Sequence, residues 1–388
     1  MSLELTDDQR ALQEAVTELA RQFGQDYWTK VDTEGRYPDE FVQALTDGGW
    51  LAVLIPEEYG GGGGTVTDAA LILETLERNG CATSAAHAQM YTMGTILRHG
   101  SEEQKKRYLP DIAAGKLRMQ SFGVTEPDAG TDTTRIRTFA TRDGDEYVVN
   151  GNKIWTSRVQ HSDLLLLLVR TTRYEDVQKK TDGMTVLLVD LQQAIADGQI
   201  EARPIRTMVN HETNELSISG LRVPVTNRIG EEGKGFRYIL SGMNAERILV
   251  SSEYIGAGLY FIDRAVEYAR EREVFGRPIG QNQGIQFPLA TAYTELQAAS
   301  LMRWSAARLF AEGKQPAFEV NAAKLLASKA LWVAANAAMD TFGGYGVAEE
   351  FGIERRFREA RLPMVAPISN NIVLAGIAHG TLGLPKSY

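Results

Sequence analysis

Phe122-Gly-Val-Thr-Glu-Pro-Asp-Ala-Gly-Thr-Asp132 is the stretch of this chain that says most about its fold and its function. Small and hydroxyl-bearing residues dominate the stretch. It offers backbone N–H groups, the hydroxyls of Thr125 and Thr131, and glycines that let a flat ligand approach closely. Taken alone, however, the stretch is more typical of an ordinary turn-rich β-region, because such turns are common.

A predicted hairpin follows this turn. A strand-like run at residues 147–149 leads to Asn150-Gly151 and then to residues 153–157, Lys-Ile-Trp-Thr-Ser. Asn-Gly between two β-rich runs is a strong signal for a hairpin turn. A hydroxyl-lined turn beside a hairpin that carries an exposed Trp155 has the chemistry to hold a flavin ring.

The chain around this region divides into three blocks, consistent with the two or three domains expected of 388 residues. Residues 1–118 show the apolar spacing of helices, and Thr6 with Gln9 predicts a capping box at the first of them. Residues 119–226 change to a period of two, which predicts an antiparallel barrel or sandwich. Residues 227–388 return to helical spacing. The predicted fold class is therefore α+β and mostly α, with an N-terminal helical domain, a middle β-domain and a C-terminal helical bundle.

The individual elements follow from the same periodicities. The predicted strands lie at 138–141, 146–149, 164–169, 184–189 and 216–225. The predicted C-terminal helices lie at 243–272, 285–312, 318–342 and 368–379. Alanine-rich stretches such as 322–338 predict close packing between helices.

Composition and charge exclude several classes of protein. The net charge of −9 and the lack of a Lys/Arg cluster argue against a nucleic-acid-binding surface. The single cysteine, Cys81, excludes an internal disulfide framework, and we expect it to be a buried packing residue. The longest apolar run, 164–169, is too short to span a bilayer, and we recognise no secretory signal. These features predict a soluble, cytoplasmic protein.

Three further patterns could suggest a ligand site, but each lacks a feature that such a site needs. Residues Gly60–Gly64 lack the Gly-Lys-Ser/Thr of a phosphate-binding loop and are predicted to be a flexible connection between helices. Gly256-Ala-Gly258 lacks a third glycine and lies in a helical pattern, so it is not a dinucleotide-binding fingerprint. The five histidines show no ligand spacing, so no metal site is expected.

The order of the three blocks and three motifs together resemble the acyl-CoA dehydrogenase family of flavoproteins, over nearly the whole chain. The first motif is Val-Thr-Glu-Pro-Asp-Ala-Gly-Thr-Asp at 124–132, which is similar to the flavin loop of the family. The second is Asn-Gly-x-Lys-x-Trp at 150–155. The third is Arg-Glu-Arg-x-x-Phe-Gly at 270–276, followed by Ile279, Gln283 and Phe-Gly-Gly-Tyr-Gly at 342–346.

The resemblance implies an FAD between the β-domain and the C-terminal helices, in a homo-oligomer that is usually a tetramer. The residues implied to line the flavin and thioester region are Phe122, Val124, Thr125, Gly130, Thr131, Trp155 and Ser157. The residues implied to bind other parts of FAD, including the diphosphate of a neighbouring subunit, are Arg272, Phe275, Gln283, Gly343, Gly344, Ser369 and Asn371. Asp340 departs from the family, whose members often carry glutamine near the diphosphate.

The implied reaction is α,β-dehydrogenation of an acyl-CoA thioester. A carboxylate removes the α-proton while the β-hydrogen passes as hydride to flavin N5, and this base needs a raised pKa and thus an apolar pocket. Many relatives carry the glutamate in a C-terminal Glu-Gly-Thr motif, where this chain has Pro367. A second family pattern, like that of the isovaleryl-CoA and long-chain enzymes, places it in a helical Glu-Arg pair. Glu246 is therefore predicted as the base, with Thr131, Asn244 and Arg247 beside the substrate.

Two questions stay open at this point. Without the resemblance, Glu246 would be taken for a solvated helical glutamate.

The second question concerns Pro367. In the family, a backbone N–H at the position of Pro367 polarises the thioester oxygen, and proline has no N–H. Either a neighbouring N–H such as that of Ile368 substitutes, or the local alignment is off by one, or the substrate is not a simple acyl-CoA.

Three hypotheses about function remain. The first hypothesis is a dehydrogenase whose electrons leave through an electron-transfer flavoprotein. The second is an oxidase or monooxygenase of the same fold, and the third is a catalytically silent homologue that binds CoA or flavin.

Overall fold

The computed structural model describes residues 5–386 of the chain, and in these residues helices both precede and follow a block of strands. This order confirms the predicted fold class. The helices before the strands are α1 (Asp7–Ala20), α2 (Gln25–Glu34), α3 (Asp39–Asp47), α4 (Val66–Arg78), α5 (Ala88–His99) and α6 (Glu102–Ala113). The strands are β1 (Ser121–Gly123), β2 (Phe139–Asp143), β3 (Glu146–Ser157), β4 (Leu164–Arg170), β5 (Met184–Asp190), β6 (Ile200–Pro204), β7 (Thr213–Pro224) and β8 (Arg228–Ile229), with the short helix α7 (Leu191–Ala196) between β5 and β6.

The C-terminal part of the chain is helical, as predicted, apart from one small hairpin. Its elements are α8 (Gly235–Glu271), β9 (Glu273–Val274), β10 (Arg277–Pro278), α9 (Gln283–Ala311), α10 (Ala317–Phe342), α11 (Ile353–Arg361) and α12 (Asn370–Gly380). Helix α11 was not predicted. Thr6 and Gln9 form the predicted capping box, because each side chain accepts a hydrogen bond from the backbone N–H of the other, at 3.2 and 3.1 Å.

By its internal contacts the chain forms two compact units. The sheet unit comprises Tyr37–Gly64 and Ser84–Glu246, and the helical unit comprises the chain up to Arg36, Thr65–Thr83 and the chain from Arg247 onward. The boundary between the units passes through α8, directly after Glu246. The three predicted domain ranges are a different division and stay a prediction.

The sheet of the sheet unit is mostly antiparallel, in the order β6-β7-β3-β2-β4-β5-β8, with β1 beside β4. Two of the pairings are parallel: β1 with β4, and a single contact between Phe139 of β2 and Arg170 of β4. Strand β4 is buried on both faces, since Leu165 and Leu167 pack within the sheet core while Leu166 packs with residues of α5 and α6. A strand covered on both sides reads as an unbroken apolar run, which is what residues 164–169 show.

The hairpin predicted at Asn150-Gly151 is wrong. Both residues lie inside β3, at a bulge where the pairing with β7 shifts register, and the turn between β2 and β3 is Gly144-Asp145 instead. Gly151 has φ of 151°, and a Cβ there would lie 2.5 Å from Thr138 Oγ1. The side chain of Asn150 accepts a hydrogen bond of 2.8 Å from the N–H of Gly220. In the folded chain, Gly151 thus lets β3 approach Thr138 closely, and Asn150 bonds to the backbone of β7.

Residues Gly60–Gly64 connect elements as predicted, but the prediction of flexibility is wrong. All five N–H groups donate to backbone carbonyls, at 2.7–3.2 Å, from residues between Ala52 and Glu57. A Cβ at Gly61 would lie 2.1 Å from the carbonyl oxygen of Ile55. The loop is therefore fixed by its own backbone hydrogen bonds, and these amides are not available to a phosphate.

The helical unit packs around α8, α9 and α10. Alanines of α10, such as Ala327, Ala330 and Ala334, are buried in its core and allow the close packing that the sequence predicts. Gly258 lies inside α8, where a Cβ would come within 2.4 Å of the side chain of Leu296 on α9. Cys81 is buried, as expected, and burial raises the pKa of its thiol to about 12.

Two searches of residues 5–386 bear on possible sites. None of the helices there combines the length and the apolar character that crossing a bilayer requires. In the same residues, no group of three or more His, Cys, Asp or Glu side chains is arranged to hold a metal ion.

Candidate active site

The predicted flavin loop leaves β1 and folds back on itself. Phe122 lies in β1, and the backbones of Glu126 and Ala129 exchange hydrogen bonds of 3.3 and 3.0 Å. These bonds make residues 126–129 a tight turn. Val124 anchors the loop in the core, whereas Gly130 and Thr131 are exposed at its tip.

A buried ion pair attaches this loop to β3. The side chain of Lys153 is 0% exposed, and its Nζ donates to Glu126 Oε1 at 2.8 Å and to the carbonyl of Val124 at 3.0 Å. The other contacts of the Glu126 carboxylate are the backbone N–H groups of Arg137 and Thr138, at 2.5 and 2.9 Å. Glu126 belongs to the first family-like motif and Lys153 to the second, so this ion pair helps to join the two motifs in space.

The two charges of this pair have shifted pKa values. Burial lowers the pKa of Lys153 to about 8, although the charge of Glu126 opposes the change. Burial also acts to raise the pKa of Glu126, but the charge of Lys153 and the hydrogen bonds that the carboxylate accepts hold that pKa below its usual value. The carboxylate is therefore an anion at neutral pH, and it accepts from the Lys153 ammonium and from the N–H groups of Arg137 and Thr138.

Trp155 stands out at the end of β3. Its backbone has φ of 62°, in the left-handed region, and its side chain is 56% exposed. The backbone beside it is attached to the loop, since the N–H of Ile154 donates to the carbonyl of Thr125 at 2.9 Å. A bulky residue at positive φ costs roughly 1–2 kcal/mol and persists where the surrounding structure fixes it. Trp155 is thus an exposed aromatic residue next to a backbone position that is bonded to the loop.

Ser157 follows two residues later and is half-buried. Its Oγ lies 3.2 Å from Thr213 Oγ1, and its carbonyl accepts a hydrogen bond of 3.1 Å from Ser121 Oγ. The structure therefore brings the two predicted flavin-flanking residues and the predicted flavin loop to one region of the sheet unit.

Glu246 lies on the face of α8 that meets α5 in the sheet unit. Tyr238, Gly242 and Glu246 are spaced by four residues and share one face of the helix. The Tyr238 ring lies 4.6 Å from the ring of His99, and a Cβ at Gly242 would lie 3.3 Å from Thr95 Oγ1. Glu246 is only 5% exposed. This burial does not fit a solvated surface glutamate.

The two predicted substrate contacts beside Glu246 lie on the same helix. Asn244 is half-buried, and Arg247 is buried with 9% exposure. Asn244 belongs to the sheet unit together with Glu246, and Arg247 is the first residue of the helical unit on α8.

In the helical unit, the two-residue turn Phe275-Gly276 joins β9 to β10, where Val274 pairs with Arg277. Both turn residues have positive φ, 54° and 74°. Such turns favour Asn, Asp and Gly, so phenylalanine is an unusual choice. The Phe275 side chain is 100% exposed. The turn thus holds an aromatic side chain outward at the cost of a strained backbone.

A cluster of aromatic rings joins the C-terminal ends of α8 and α10. Tyr268 stacks on Phe342 with 4.3 Å between ring centroids, and Phe351 packs edge-on against both. The guanidinium of Arg272 lies 5.9 Å from the ring of Tyr345. Arg272 is thereby brought to the segment that follows α10.

Gly343 and Gly344 begin this segment and are exposed. No atom of residues 5–386 lies within 4 Å of a Cβ placed at either glycine, so packing within the described chain does not explain the missing side chain at Gly344. Gly343, with φ of 59° and ψ of −131°, adopts a conformation that suits glycine. Gln283 is an exposed residue at the first position of α9, and Asp340 is exposed one turn before the glycines.

A buried lysine fixes the segment that contains Pro367. Lys324 of α10 donates three hydrogen bonds of 2.7–2.8 Å, and its acceptors are the carbonyls of Pro363 and Ile368 and Oδ1 of Asn370. The Tyr254 hydroxyl donates to the carbonyl of Ala366 at 3.2 Å. Burial and the positive charge of Arg247 lower the pKa of Lys324 to about 8. The backbone on both sides of Pro367 is thus held by side chains of α8 and α10.

The residues after Pro367 differ in what they can offer. Within residues 5–386, the N–H of Ile368 donates to no acceptor. Ser369 is the N-cap of α12, because its Oγ accepts a hydrogen bond of 3.4 Å from the N–H of Ile372. Asn371 is exposed in the first turn of that helix.

Each unit, taken separately, has donors and surfaces that fit a part of FAD. The sheet unit supplies a hydroxyl-bearing loop with an exposed aromatic residue beside it, suited to a flat ring. The helical unit supplies an exposed arginine and exposed glycines, suited to a diphosphate. Sequence reasoning placed Lys153 in the second motif without giving it a role, and it missed Lys324, whose one signal was a lysine within an alanine-rich run.

The chain matches three successive family models. These are the N-terminal domain of acyl-CoA dehydrogenase at residues 6–116, the middle domain at 121–221 and the C-terminal domain at 233–381. Together they cover most of the chain in the order that the sequence predicts.

Individual known proteins are similar over nearly their full length. Acyl-CoA dehydrogenase FadE12 of Mycobacterium tuberculosis is 32% identical, over 99% of this chain and 98% of the relative. The structure of glutaryl-coenzyme A dehydrogenase with glutaryl-CoA matches with a TM-score of 0.93 and 29% identity, over 100% of this chain and 98% of that one. A chain in the structure of the electron transferring flavoprotein of Acidaminococcus fermentans matches with a TM-score of 0.91 and 28% identity, over 98% and 100%.

Proposed function

Because this chain belongs to the acyl-CoA dehydrogenase family, we propose that it dehydrogenates an acyl-CoA thioester with FAD as cofactor and Glu246 as base. One observation carries the proposal for the base. Glu246 is a buried carboxyl on α8, whereas the other position used in the family is occupied by Pro367, which has no ionisable group.

We assign a part of the cofactor to residues of each unit. In the sheet unit, Phe122, Val124, Thr125, Gly130, Thr131, Trp155 and Ser157 would hold the flavin. In the helical unit, Arg272, Phe275, Gln283, Gly343, Gly344, Ser369 and Asn371 would bind the remainder, in part for a neighbouring subunit. When bound, FAD would supply the acceptor for the β-hydrogen as hydride.

The proton chemistry would fall to Glu246. Its carboxylate would take the α-proton as the thioester oxygen gains negative charge, with Thr131, Asn244 and Arg247 beside the substrate. The N–H of Ile368 would then polarise the thioester in place of the missing amide at Pro367, since it has no acceptor within residues 5–386. A donor of this kind is typically worth about 10²–10³ in rate.

An electron-transfer flavoprotein is the proposed electron acceptor. The similar chain in the Acidaminococcus fermentans structure supports this choice by analogy alone. The fully exposed Phe275 supports a homo-oligomer, in which a second copy would cover an aromatic side chain otherwise left in water.

A second candidate is an oxidase of the same fold. Pro367 favours it, because the loss of the backbone donor at that position points to a different way of handling the substrate or its electrons. This candidate shares the cofactor site and differs only in the step after substrate oxidation.

Anaerobic flavin bleaching by a panel of acyl-CoA thioesters tests the proposal. We expect at least one thioester to bleach the flavin of the purified protein. Electron-transfer flavoprotein or an artificial dye should then recover the electrons with little hydrogen peroxide. Peroxide equal to the product formed would instead identify an oxidase. A protein that gains no flavin on incubation with FAD would contradict both candidates.

A further inference from the structure

Three non-glycine residues with positive φ occur close together in the sheet unit. Trp155 has φ of 62°, Arg158 has φ of 61° and Glu212 has φ of 44°. Bulky residues rarely adopt such angles, and they keep them only where several contacts fix the backbone at once. Trp155 and Arg158 lie on either side of Ser157 in the sequence, so the segment proposed to face the flavin has a strained backbone.

The contacts that fix this segment converge on Arg158 and Glu212. The backbone N–H of Arg158 donates to the carbonyl of Glu212 at 3.3 Å, and its guanidinium donates to Glu212 Oε2 at 2.8 Å. The same guanidinium reaches the carbonyl of Asn210 at 3.3 Å. Asparagine or glycine would adopt this φ with less strain, but neither could make the carboxylate and carbonyl contacts at the same time. The contacts of the Arg158 side chain thus offset the free-energy cost of its positive φ.

Two aromatic side chains complete this group, which we name the Arg158 cluster: Tyr37, Arg158, His161 and Glu212. The His161 ring lies 3.1 Å from Glu212 Oε1 through Nε2 and stacks on Tyr37 with 3.9 Å between centroids and 10° between planes. The Arg158 guanidinium lies 5.3 Å from the centre of the Tyr37 ring. Tyr37 is itself fixed, because its hydroxyl donates to the carbonyl of Ala85 at 3.1 Å.

The charges of the cluster compensate one another. Burial acts to raise the pKa of Glu212, but the hydrogen bond from His161 and the charge of Arg158 hold that pKa below its usual value. Arg158 is 2% exposed, so its guanidinium depends on Glu212 for a counter-ion.

We propose that Arg158 and Glu212 are positioning residues, whose ion pair holds Trp155 and Ser157 in the conformation that contacts the flavin. This inference rests on the proposed cofactor site. Neither residue needs to touch the cofactor. They act through the backbone of residues 155–158. Without their contacts, this segment would relax from the positive φ angles of Trp155 and Arg158.

Paired variants with conserved shape test this role. Glu212→Gln keeps the size and one acceptor of the side chain but removes the charge opposite a buried arginine. Glu74→Gln is the matched control, because Glu74 is the counter-ion of Arg303, which is buried with 0% exposure in the helical unit. The readouts are the affinity for FAD, the visible spectrum and reduction potential of the bound flavin, and the thermal midpoint of the FAD-free protein.

Glu212→Gln should weaken FAD binding about tenfold or more and shift both the spectrum and the reduction potential. Glu74→Gln should lower the thermal midpoint and leave the flavin readouts unchanged. Arg158→Asn tolerates the positive φ, and combining it with Glu212→Gln should add little further loss of affinity, because either change alone breaks the pair. In the FAD-free protein, amide hydrogen exchange at residues 155–158 should accelerate in Glu212→Gln and stay slow in Glu74→Gln.

Two results would overturn the inference. One is a folded Glu212→Gln protein with wild-type FAD affinity, flavin spectrum and exchange rates at 155–158. The other is a flavin change that appears equally in Glu74→Gln, which would mark a general loss of stability. Failure of the proposed function is separate, since it would show as a wild-type protein that does not bind FAD, and the exchange experiment would still decide whether the pair holds the segment.

Discussion

Glu246→Gln is expected to leave FAD bound while reducing the rate of flavin bleaching by acyl-CoA about 10²–10⁴-fold. Glutamine has the size of glutamate and keeps one oxygen acceptor, so the packing of α8 against α5 should persist. It cannot accept the α-proton, and so the step that depends on the base should fail. Stopped-flow absorbance under anaerobic conditions measures this rate, and the flavin content of the purified variant shows whether the cofactor site is intact.

Glu253→Gln is the matched control for this substitution. Glu253 is a second buried glutamate on α8, with 5% exposure, and its Oε1 accepts a hydrogen bond of 2.8 Å from the Thr83 hydroxyl. Its replacement should affect stability and leave bleaching within a few-fold of wild type. Undiminished bleaching in Glu246→Gln, or an equal loss in both variants, would remove Glu246 from the mechanism.

Lys153→Met is expected to cost about 3–5 kcal/mol in the stability of the sheet unit and to release FAD. The substitution keeps the apolar stem of the side chain but leaves the buried Glu126 carboxylate without its counter-ion, which is 2.8 Å away in the wild type. The loop of residues 124–132 should detach from β3. Thermal unfolding and an FAD titration measure the two effects.

The same substitution should change the pH dependence of the loop. Because the folded-state pKa of Glu126 lies below its usual value of 4.5, its stabilising contribution is present above that value and is lost as the pH falls through the folded-state pKa. Removing the Lys153 charge raises that folded-state pKa. The loss of FAD on acidification should therefore begin at a higher pH in Lys153→Met than in the wild type.

Two control variants accompany the Lys153→Met prediction. Lys116→Met removes an exposed lysine, 3.6 Å from Asp111, and should change stability by less than about 1 kcal/mol. Adding Glu126→Leu to Lys153→Met removes both charges and should restore part of the lost stability, because no unpaired charge then remains buried. A Lys153→Met protein with wild-type stability and FAD affinity would mean that the pair does not hold the loop.

The sequence predicts well those features that local spacing determines. The long helices and the strands at 164–170 and 184–190 have apolar patterns that span whole elements, so tertiary contacts do not alter the assignment. Asn150-Gly151 shows the limit of such reasoning, since its turn signal is local while its use at a bulge depends on Thr138 and Gly220. The prediction for the loop Gly60–Gly64 was wrong for a similar reason, because its five N–H groups are bonded to carbonyls of residues between Ala52 and Glu57.

Helix α11 was missed because it is an unusual helix. Arg355 and Arg356 are buried in it, and the Arg356 guanidinium pairs with Glu77 and Glu359. Charged residues at core positions break the apolar pattern from which a helix is recognised. Their burial depends on these carboxylates, and Glu77 comes beside Arg356 only when the chain folds.

The candidate site shows the same division. Motif resemblance singled out the loop, Trp155 and Glu246, whose residue types suit the proposed chemistry. Lys153 contacts the loop, Arg158 lies beside Ser157, and Lys324 contacts the segment around Pro367, yet all three look like ordinary surface cations in sequence. Their roles depend on carboxylates and carbonyls that only folding brings within hydrogen-bonding distance.

A crystal structure of the holoprotein with a bound acyl-CoA analogue tests the assignment of the base most directly. We expect a Glu246 carboxylate oxygen within about 3.5 Å of the α-carbon of the acyl chain. A Glu246 side chain turned away from the thioester, with a different basic group at that distance from the α-carbon, would contradict it.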